Sequence, residues 1–172
     1  MRDKEVTPMR FGGLLIVFFL CLALTVPLGS TAQEAVFIVR HAEQEPDGED
    51  PPLTAAGHQR AVRLPSALRD AGIRVIYTSE ARRTIQTADP ATKALAVQSR
   101  IVPRRDIDAL VSRLAAHHAQ ERVLIISHSL TIPVLLKALG HTGDAAIGRD
   151  DYDSMFVVIP RPGGPVVLRL HF

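Results

Sequence analysis

Ala35-Val36-Phe37-Ile38-Val39 is an unbroken apolar run that ends on Arg40-His41. It has no polar alternation and is rich in residues that favour extended backbone. Such a run reads as a strand covered on both faces, as in a parallel sheet. Ile73 to Tyr77 and Val123 to Ile126 repeat the pattern, Val97 to Val102 is a weaker version, and Met155 to Ile159 and Val166 to Leu170 close the chain.

Helical stretches lie between these runs. Thr54 is placed to cap a helix reaching about Ala71, where Gly72 supplies a stop, and Pro65 is expected to kink or divide it. A second helix is expected over Arg82 to about Leu95, with a break at Pro90. Asp106 or Asp108 starts a third, which carries Leu110, Val111 and Leu114 on one face. The fourth begins after His128 and ends at Gly140, with Pro133 tolerated in its first turn. Strand and helix alternate over residues 33–172 without repeats, long linkers or charge blocks. The expected fold class is therefore α/β: one domain with a three-layer, open, mostly parallel sheet flanked by helices.

The first 32 residues read differently. Arg2, Lys4 and Arg10 precede the apolar run Phe11 to Val26, and Ser30-Thr31-Ala32 follows. A basic start, an apolar middle and small residues before a cut describe a secretory signal peptide, with cleavage predicted after Ala32. The run falls short of the roughly twenty residues that span a bilayer, so an uncleaved membrane anchor is the lesser alternative. The expected location is outside the cytoplasm, periplasmic or secreted, with no stable membrane association once the segment is removed.

The 172-residue chain has a single cysteine, Cys21, which lies inside that apolar run. An intramolecular disulfide scaffold and Cys-based zinc sites are thereby excluded. The formal net charge is +2, and the N-terminal segment holds a surplus of one positive charge, leaving +1 for the remainder. That balance gives no footprint for nucleic acid. The adjacent pair His117-His118 lacks the spacing that puts two metal ligands on one helix face, and neither metal nor cofactor is expected.

In open α/β sheets, ligands bind beyond the carboxyl ends of the strands. Arg40 and His41 follow the first run. Thr78, Ser79 and then Arg82-Arg83 at a helix start follow the second. Ser127-His128-Ser129 follows the Val123 run, again at a helix start. Two histidines and two or three arginines thus converge on one edge, beside helix N-termini that favour an anion. Guanidinium groups match phosphate oxygens with paired donors, and a neutral imidazole can attack phosphorus and carry the phosphoryl group covalently. A second histidine, if protonated, adds a donor to the charge developing on the equatorial oxygens.

These residues resemble a known family. Val39-Arg40-His41-Ala42-Glu43 resembles the Arg-His-Gly signature of the histidine phosphatase superfamily, which also contains the phosphoglycerate mutases. Tyr77-Thr78-Ser79 through Arg83, Gln86, Thr87 and Ala88 is similar to its second block, and Val123 to Ser129 to its third. Leu53-Thr54 through Gly57 and Ala61 matches the helix after the first loop. The resemblance covers about residues 35–172 and implies a phosphoglycerate mutase-like fold. It also implies a metal-independent phosphatase in which His41 becomes phosphohistidine while Arg40, Arg83 and His128 bind the phosphoryl oxygens. Matching Thr87-Ala88 selects Arg83 over Arg82, which lies about 100° round the helix.

The sequence also departs from the family pattern. Ala42 replaces the usual glycine, Ser127 stands where glycine often precedes the second histidine, and Leu130 stands where a polar residue is common. The stretch Ile101 to Asp108 lacks the glutamate that protonates the leaving oxygen in many members, and no aspartate follows His128. Glu43 is the nearest candidate acid, with Asp106 behind it; having no acid at all is the third option. The loop Glu43 to Pro52 holds five acids and three prolines and reads as a stiff polar surface loop whose charge would repel highly anionic substrates. Tyr152 and Asp153 precede a strand within possible reach of the pocket. The expected substrate is a small phosphomonoester or a phosphoprotein, phosphohistidine included. The reading from a different class is a phospho-ligand binding protein without turnover.

Overall fold

The structure is a computed structural model that describes residues 34–172; the predicted signal segment lies outside the described residues. Six strands form one sheet: β1 (Ala35–Arg40), β2 (Ile73–Thr78), β3 (Gln98–Ile101), β4 (Arg122–Ser127), β5 (Ser154–Ile159) and β6 (Val166–His171). Their order is β3-β2-β4-β1-β5-β6. The first four are mutually parallel, whereas β5 runs antiparallel to β1 and β6 antiparallel to β5. The expected mostly parallel open sheet is what forms.

The apolar run that opens the domain is apolar throughout because it has helices on both sides. Val36 and Ile38 of β1 pack into one layer with Leu110, Leu114, Ile132, Leu135 and Leu136. Those residues come from α3 (Ile107–His117) and α4 (Thr131–Ala138). Val39 points the opposite way, to Leu64 and Leu68 of α1 (Ala55–Leu68) and Ala88 and Ala91 of α2 (Arg82–Ala94). Side chains alternate across a strand, so a run buried on both faces has no position left for a polar residue.

Two expectations about proline are corrected. Pro65 and Pro90 lie inside α1 and α2, and neither divides its helix. Interior proline costs roughly 3 kcal/mol, but it removes only one N–H. In α1 it sits between Leu64 and Leu68, both fully buried, and each buried leucine returns about 1.5–3 kcal/mol. Tertiary packing outweighs the local break. α1 ends at Leu68 rather than near Ala71, and Gly72 takes the left-handed backbone (φ 64°) that turns the chain into β2.

The chain steps across the sheet in one direction from β1 to β3 and returns for β4. The helices change face at that reversal, with α1 and α2 on one side and α3 and α4 on the other. Such a reversal opens a crevice at the carboxyl edge of the parallel strands, where ligands bind in this class of fold.

Candidate active site

His41 follows β1 directly. Its backbone N–H donates to the Ser127 carbonyl of β4 (2.9 Å), so the sheet pairing extends into the site. The neighbouring Ala42 N–H donates to Thr87 Oγ1 (3.0 Å), whose hydroxyl donates to the Arg83 carbonyl (2.7 Å). Thr87 therefore fastens the turn after the histidine to α2. Gln86, one position earlier, accepts from the Leu53 N–H (2.8 Å) and fastens the far end of the following loop. The short polar residues on α2 are the clips that bring the β1 and β2 edges together.

The hydrogen bonds fix both imidazole tautomers. His41 Nδ1 lies 2.8 Å from the Ala42 carbonyl, which can only accept. Nδ1 therefore carries the proton, and Nε2 keeps its lone pair. His128 Nδ1 lies 3.3 Å from Arg83 Nη2, which can only donate. Its proton is on Nε2, directed to Ser79 Oγ (2.9 Å), and Ser79 is tied in turn to Thr84 Oγ1 (3.0 Å). The two rings sit with centroids 5.2 Å apart and planes at 61°.

Both imidazoles are held neutral. Burial is the main cause that lowers His41 from 6.5 to about 3, with His128, Arg83 and Arg40 adding repulsion against the Ala42 bond. Burial likewise lowers His128 to about 4, assisted by Arg83, Arg104 and Arg40. In this arrangement His128 presents an acceptor to Arg83, not the donor expected of a protonated ring. An anion seated between the arginines would oppose their repulsion and favour the protonated form.

Arg40 and Arg83 are both buried, at 9% exposure. Arg40 Nη1 donates to the carbonyls of Arg149 (2.7 Å), Gly148 (3.2 Å) and Asp151 (3.3 Å), and the Tyr152 ring covers its guanidinium at 3.9 Å. Arg83 Nη1 reaches Asp50 Oδ1 (3.5 Å), and that same carboxylate accepts from the Arg82 backbone N–H at the start of α2 (3.1 Å). Among the described residues, the Nε–H groups of Arg40 and Arg83 are buried with no partner. An unpaired buried donor costs about 1–3 kcal/mol, and both arginines line the cleft next to the two histidines. Arg82 is exposed, as the helix geometry implied.

The candidate acids are placed elsewhere. Glu43 is locked in a two-pronged pair with Arg60 of α1, with Arg60 Nε at 3.0 Å from both carboxylate oxygens and Nη2 at 2.7 Å. The Arg60 bond holds its carboxyl below the usual range, so it is ionised at neutral pH and cannot donate a proton. In this pairing Glu43 anchors the loop after His41 to α1. Asp106 is the N-cap of α3, accepting from the Ala109 N–H (3.0 Å). Glu45 and Asp150 are the carboxylates that line the cleft, which has a volume of about 750 Å³.

Tyr152 does reach the site, its ring 6.3 Å from that of His41. Its position before a strand placed it within reach of the pocket, and the segment before β5 folds back over Arg40 to bring the ring there. The acidic loop is the stiff surface loop expected: residues 45–50 are exposed, and its base is closed by the Glu45 N–H donating to the Pro52 carbonyl (2.9 Å) and by a bridge between Gln44 and Leu53. His118 is a second correction. An adjacent pair on a terminal helical turn is expected at the surface, yet only His117 is exposed, and His118 is buried between Tyr77 Oη (2.9 Å) and Glu121 (2.7 Å), a pin joining the end of α3 to β2.

A three-layer α/β fold with a neutral, free-faced imidazole beside two buried guanidiniums defines a phosphoryl-transfer class of protein. The model of the histidine phosphatase superfamily (branch 1) matches residues 36–106, a span that includes Arg40, His41 and Arg83. Over that span the chain is similar to that superfamily. Solved structures agree on the fold. The protein histidine phosphatase SixA, complexed with tungstate, is 19% identical with a TM-score of 0.68, covering 80% of this chain and 96% of its own. The alpha-ribazole phosphatase from Shigella flexneri is 15% identical (TM-score 0.66; 80% and 96% covered). The mycobacterial glucosyl-3-phosphoglycerate phosphatase is also 15% identical (TM-score 0.62; 81% and 98%). No curated protein matches the chain by sequence.

Proposed function

We propose that the chain is a phosphatase that hydrolyses a phosphorylated substrate through a phosphohistidine on His41. The observation that carries the reading is the free Nε2 lone pair of His41 in a cleft that Arg40, Arg83 and His128 also line. Nε2 attacks phosphorus, the P–N bond forms as the P–O bond to the leaving group breaks, and the ring becomes cationic. The Ala42 carbonyl stabilises that charge through Nδ1–H, and the arginines stabilise the equatorial oxygens. Water then attacks phosphorus, releasing inorganic phosphate and neutral His41.

A protein that only binds phosphate gains nothing from an imidazole kept neutral with its lone pair free, so this arrangement favours turnover. The structural neighbours include a protein histidine phosphatase and an alpha-ribazole phosphatase, which supports phosphoproteins and small phosphomonoesters alike as substrates. Hydrolysis of phenyl phosphate, unaffected by chelator, is the expected activity. His41→Ala should lower it by about 10³-fold or more, as loss of a covalent nucleophile does. Retained turnover in that variant would reject His41 as the nucleophile.

The location proposed is outside the cytoplasm, on the strength of the basic, apolar and small-residue succession in residues 1–32. N-terminal sequencing of the exported fraction should begin at Gln33; a cytoplasmic chain that still begins at Met1 overturns this.

A further inference from the structure

The two edges of the sheet are finished differently. β3, at one edge, presents Gln98, Ser99 and Arg100 to solvent ahead of a single apolar residue, Ile101. β6 forms the other edge, and among the described residues no strand pairs with its outer side. Across the hairpin, Val166 lies opposite Ile159, Leu168 opposite Val157 and Leu170 opposite Met155. Met155 and Val157 are buried in the layer beneath α1 and α2. That layer stops short of β6, where Val166, Leu168 and Leu170 are 46%, 45% and 47% exposed. Large apolar side chains at every second position thus make one stripe along an open edge.

Strand edges are commonly blunted by lysine, proline or a bulge, and β6 has none of these: its register with β5 is regular throughout. Its charges do not guard it either. Arg169 is drawn back onto Ser154 Oγ (3.0 Å), the Ala146 carbonyl (3.3 Å) and the Asp151 carboxylate, and His171 pairs with Asp153 (3.1 Å).

We propose that a second copy of this chain occupies the edge, with β6 of each copy pairing antiparallel about a twofold axis perpendicular to the sheet. An open edge carries N–H and C=O groups in a row, which another extended strand matches in series. Register then selects the partner. Facing residues of an antiparallel pair point to the same face, so the axis passes through a residue and not between two. Near the middle of β6 that residue is Leu168 or Arg169. Centring on Arg169 sets like charges opposite each other, which is destabilising. Centring on Leu168 sets it against its own copy, with Val166 of one chain against Leu170 of the other and Arg169 against Val167. In that register β6 is complementary to itself: apolar meets apolar along the stripe, and no like charges are opposed. No residue of β6 lines the cleft, so the inference stands independently of the phosphatase reading.

Sedimentation velocity over a concentration series of the full-length chain should show a reversible monomer–dimer equilibrium. Leu168→Arg should weaken the dimer by at least about tenfold, equivalent to about 1.4 kcal/mol, while leaving the circular dichroism native. Ile101→Arg, on the opposite edge, should leave the equilibrium unchanged. Since Cys21 is the one cysteine, a Cys21→Ser background makes an introduced thiol diagnostic of register. Leu168→Cys in that background should oxidise to a disulfide-linked dimer, because the two copies of the residue face each other. Val166→Cys should not, because its copies lie about 13 Å apart along the strands, beyond the roughly 7 Å that a disulfide spans. Val166→Cys/Leu170→Cys should link again. A chain that stays monomeric at every concentration overturns the proposal. A dimer that survives Leu168→Arg, or that links through residue 166 alone, also overturns it and places the association at another surface, in another register or in residues 1–32. Should Leu168→Arg fail to fold, the crosslinking pattern decides by itself.

Discussion

At the scale of single residues, neighbours in the sequence have separate roles. His41 and Glu43 are two positions apart, yet one faces the crevice as a neutral base and the other faces α1 as an ionised carboxylate paired with Arg60. The strand ends at Arg40, before both, so the alternation that would aim the two side chains the same way does not apply. Proximity in sequence made Glu43 the nearest acid; the Arg60 fork, from a helix that follows the loop, removes it. Glu43→Gln should therefore keep the basic limb of the pH–rate profile, with kcat within about threefold of the native value. It should also lower stability by about 1–2 kcal/mol, because Arg60 is left with a neutral partner in a mostly buried position. Glu45→Gln and Asp150→Asn are the comparison, since their carboxylates line the cleft. Loss of the basic limb in the Glu43 variant, and in neither of the others, would restore Glu43 as the proton donor.

At the scale of elements, packing constraints that join loop to helix matter more than propensity. α1 begins at Thr54, whose hydroxyl accepts from the Gly57 N–H (3.0 Å), and Gly57 sits against the backbone of Glu43. A Cβ at position 57 would lie 2.2 Å from the Glu43 carbonyl oxygen, an overlap that only backbone movement relieves. Glycine is needed there for close approach, not for helix conformation. Gly57→Ala should cost about 1–3 kcal/mol in denaturant unfolding and should loosen the His41 turn, so kcat/KM falls with it. Full stability in that variant would show that the loop shifts freely. The same distinction explains what was legible. Arg40, His41, Arg83 and His128 were readable because each follows a buried strand or opens the helix after it, and the sheet fixes where such positions go. Tyr152 was legible only as a residue within reach, and Arg149 and the clip formed by Asp50 were not legible, because their placement depends on loops folding back across the edge. The uninterrupted courses of α1 and α2 were misread for a related reason: Pro65 and Pro90 are local signals, whereas the leucine and alanine burial that overrides them is tertiary.

At the scale of the whole molecule, the site is built at a cost to acid stability. His41 and His128 are buried neutral, at about 3 and about 4 against an ordinary 6.5. Above pH 6.5 both are neutral in the folded and unfolded states and add no pH dependence. As pH falls below 6.5, the unfolded chain takes up protons that the folded chain refuses. Stability is therefore lost through the window from 6.5 down to the folded values, with a slope approaching about 2.7 kcal/mol per pH unit where both contribute. The Glu43 carboxylate is also depressed, but its contribution is lost only below about its ordinary 4.5, so the two effects separate on the pH axis. Denaturant unfolding between pH 7 and 4.5 should show the histidine slope in the native chain. His41→Ala/His128→Ala should flatten it while leaving the loss below 4.5 in place. Inorganic phosphate should raise stability by mass action and also reduce the slope, because an anion between Arg40 and Arg83 makes protonation of the imidazoles less unfavourable. A slope that persists in the double variant would place the acid sensitivity outside the site. A phosphate effect on stability with no effect on slope would place the bound anion away from the two histidines.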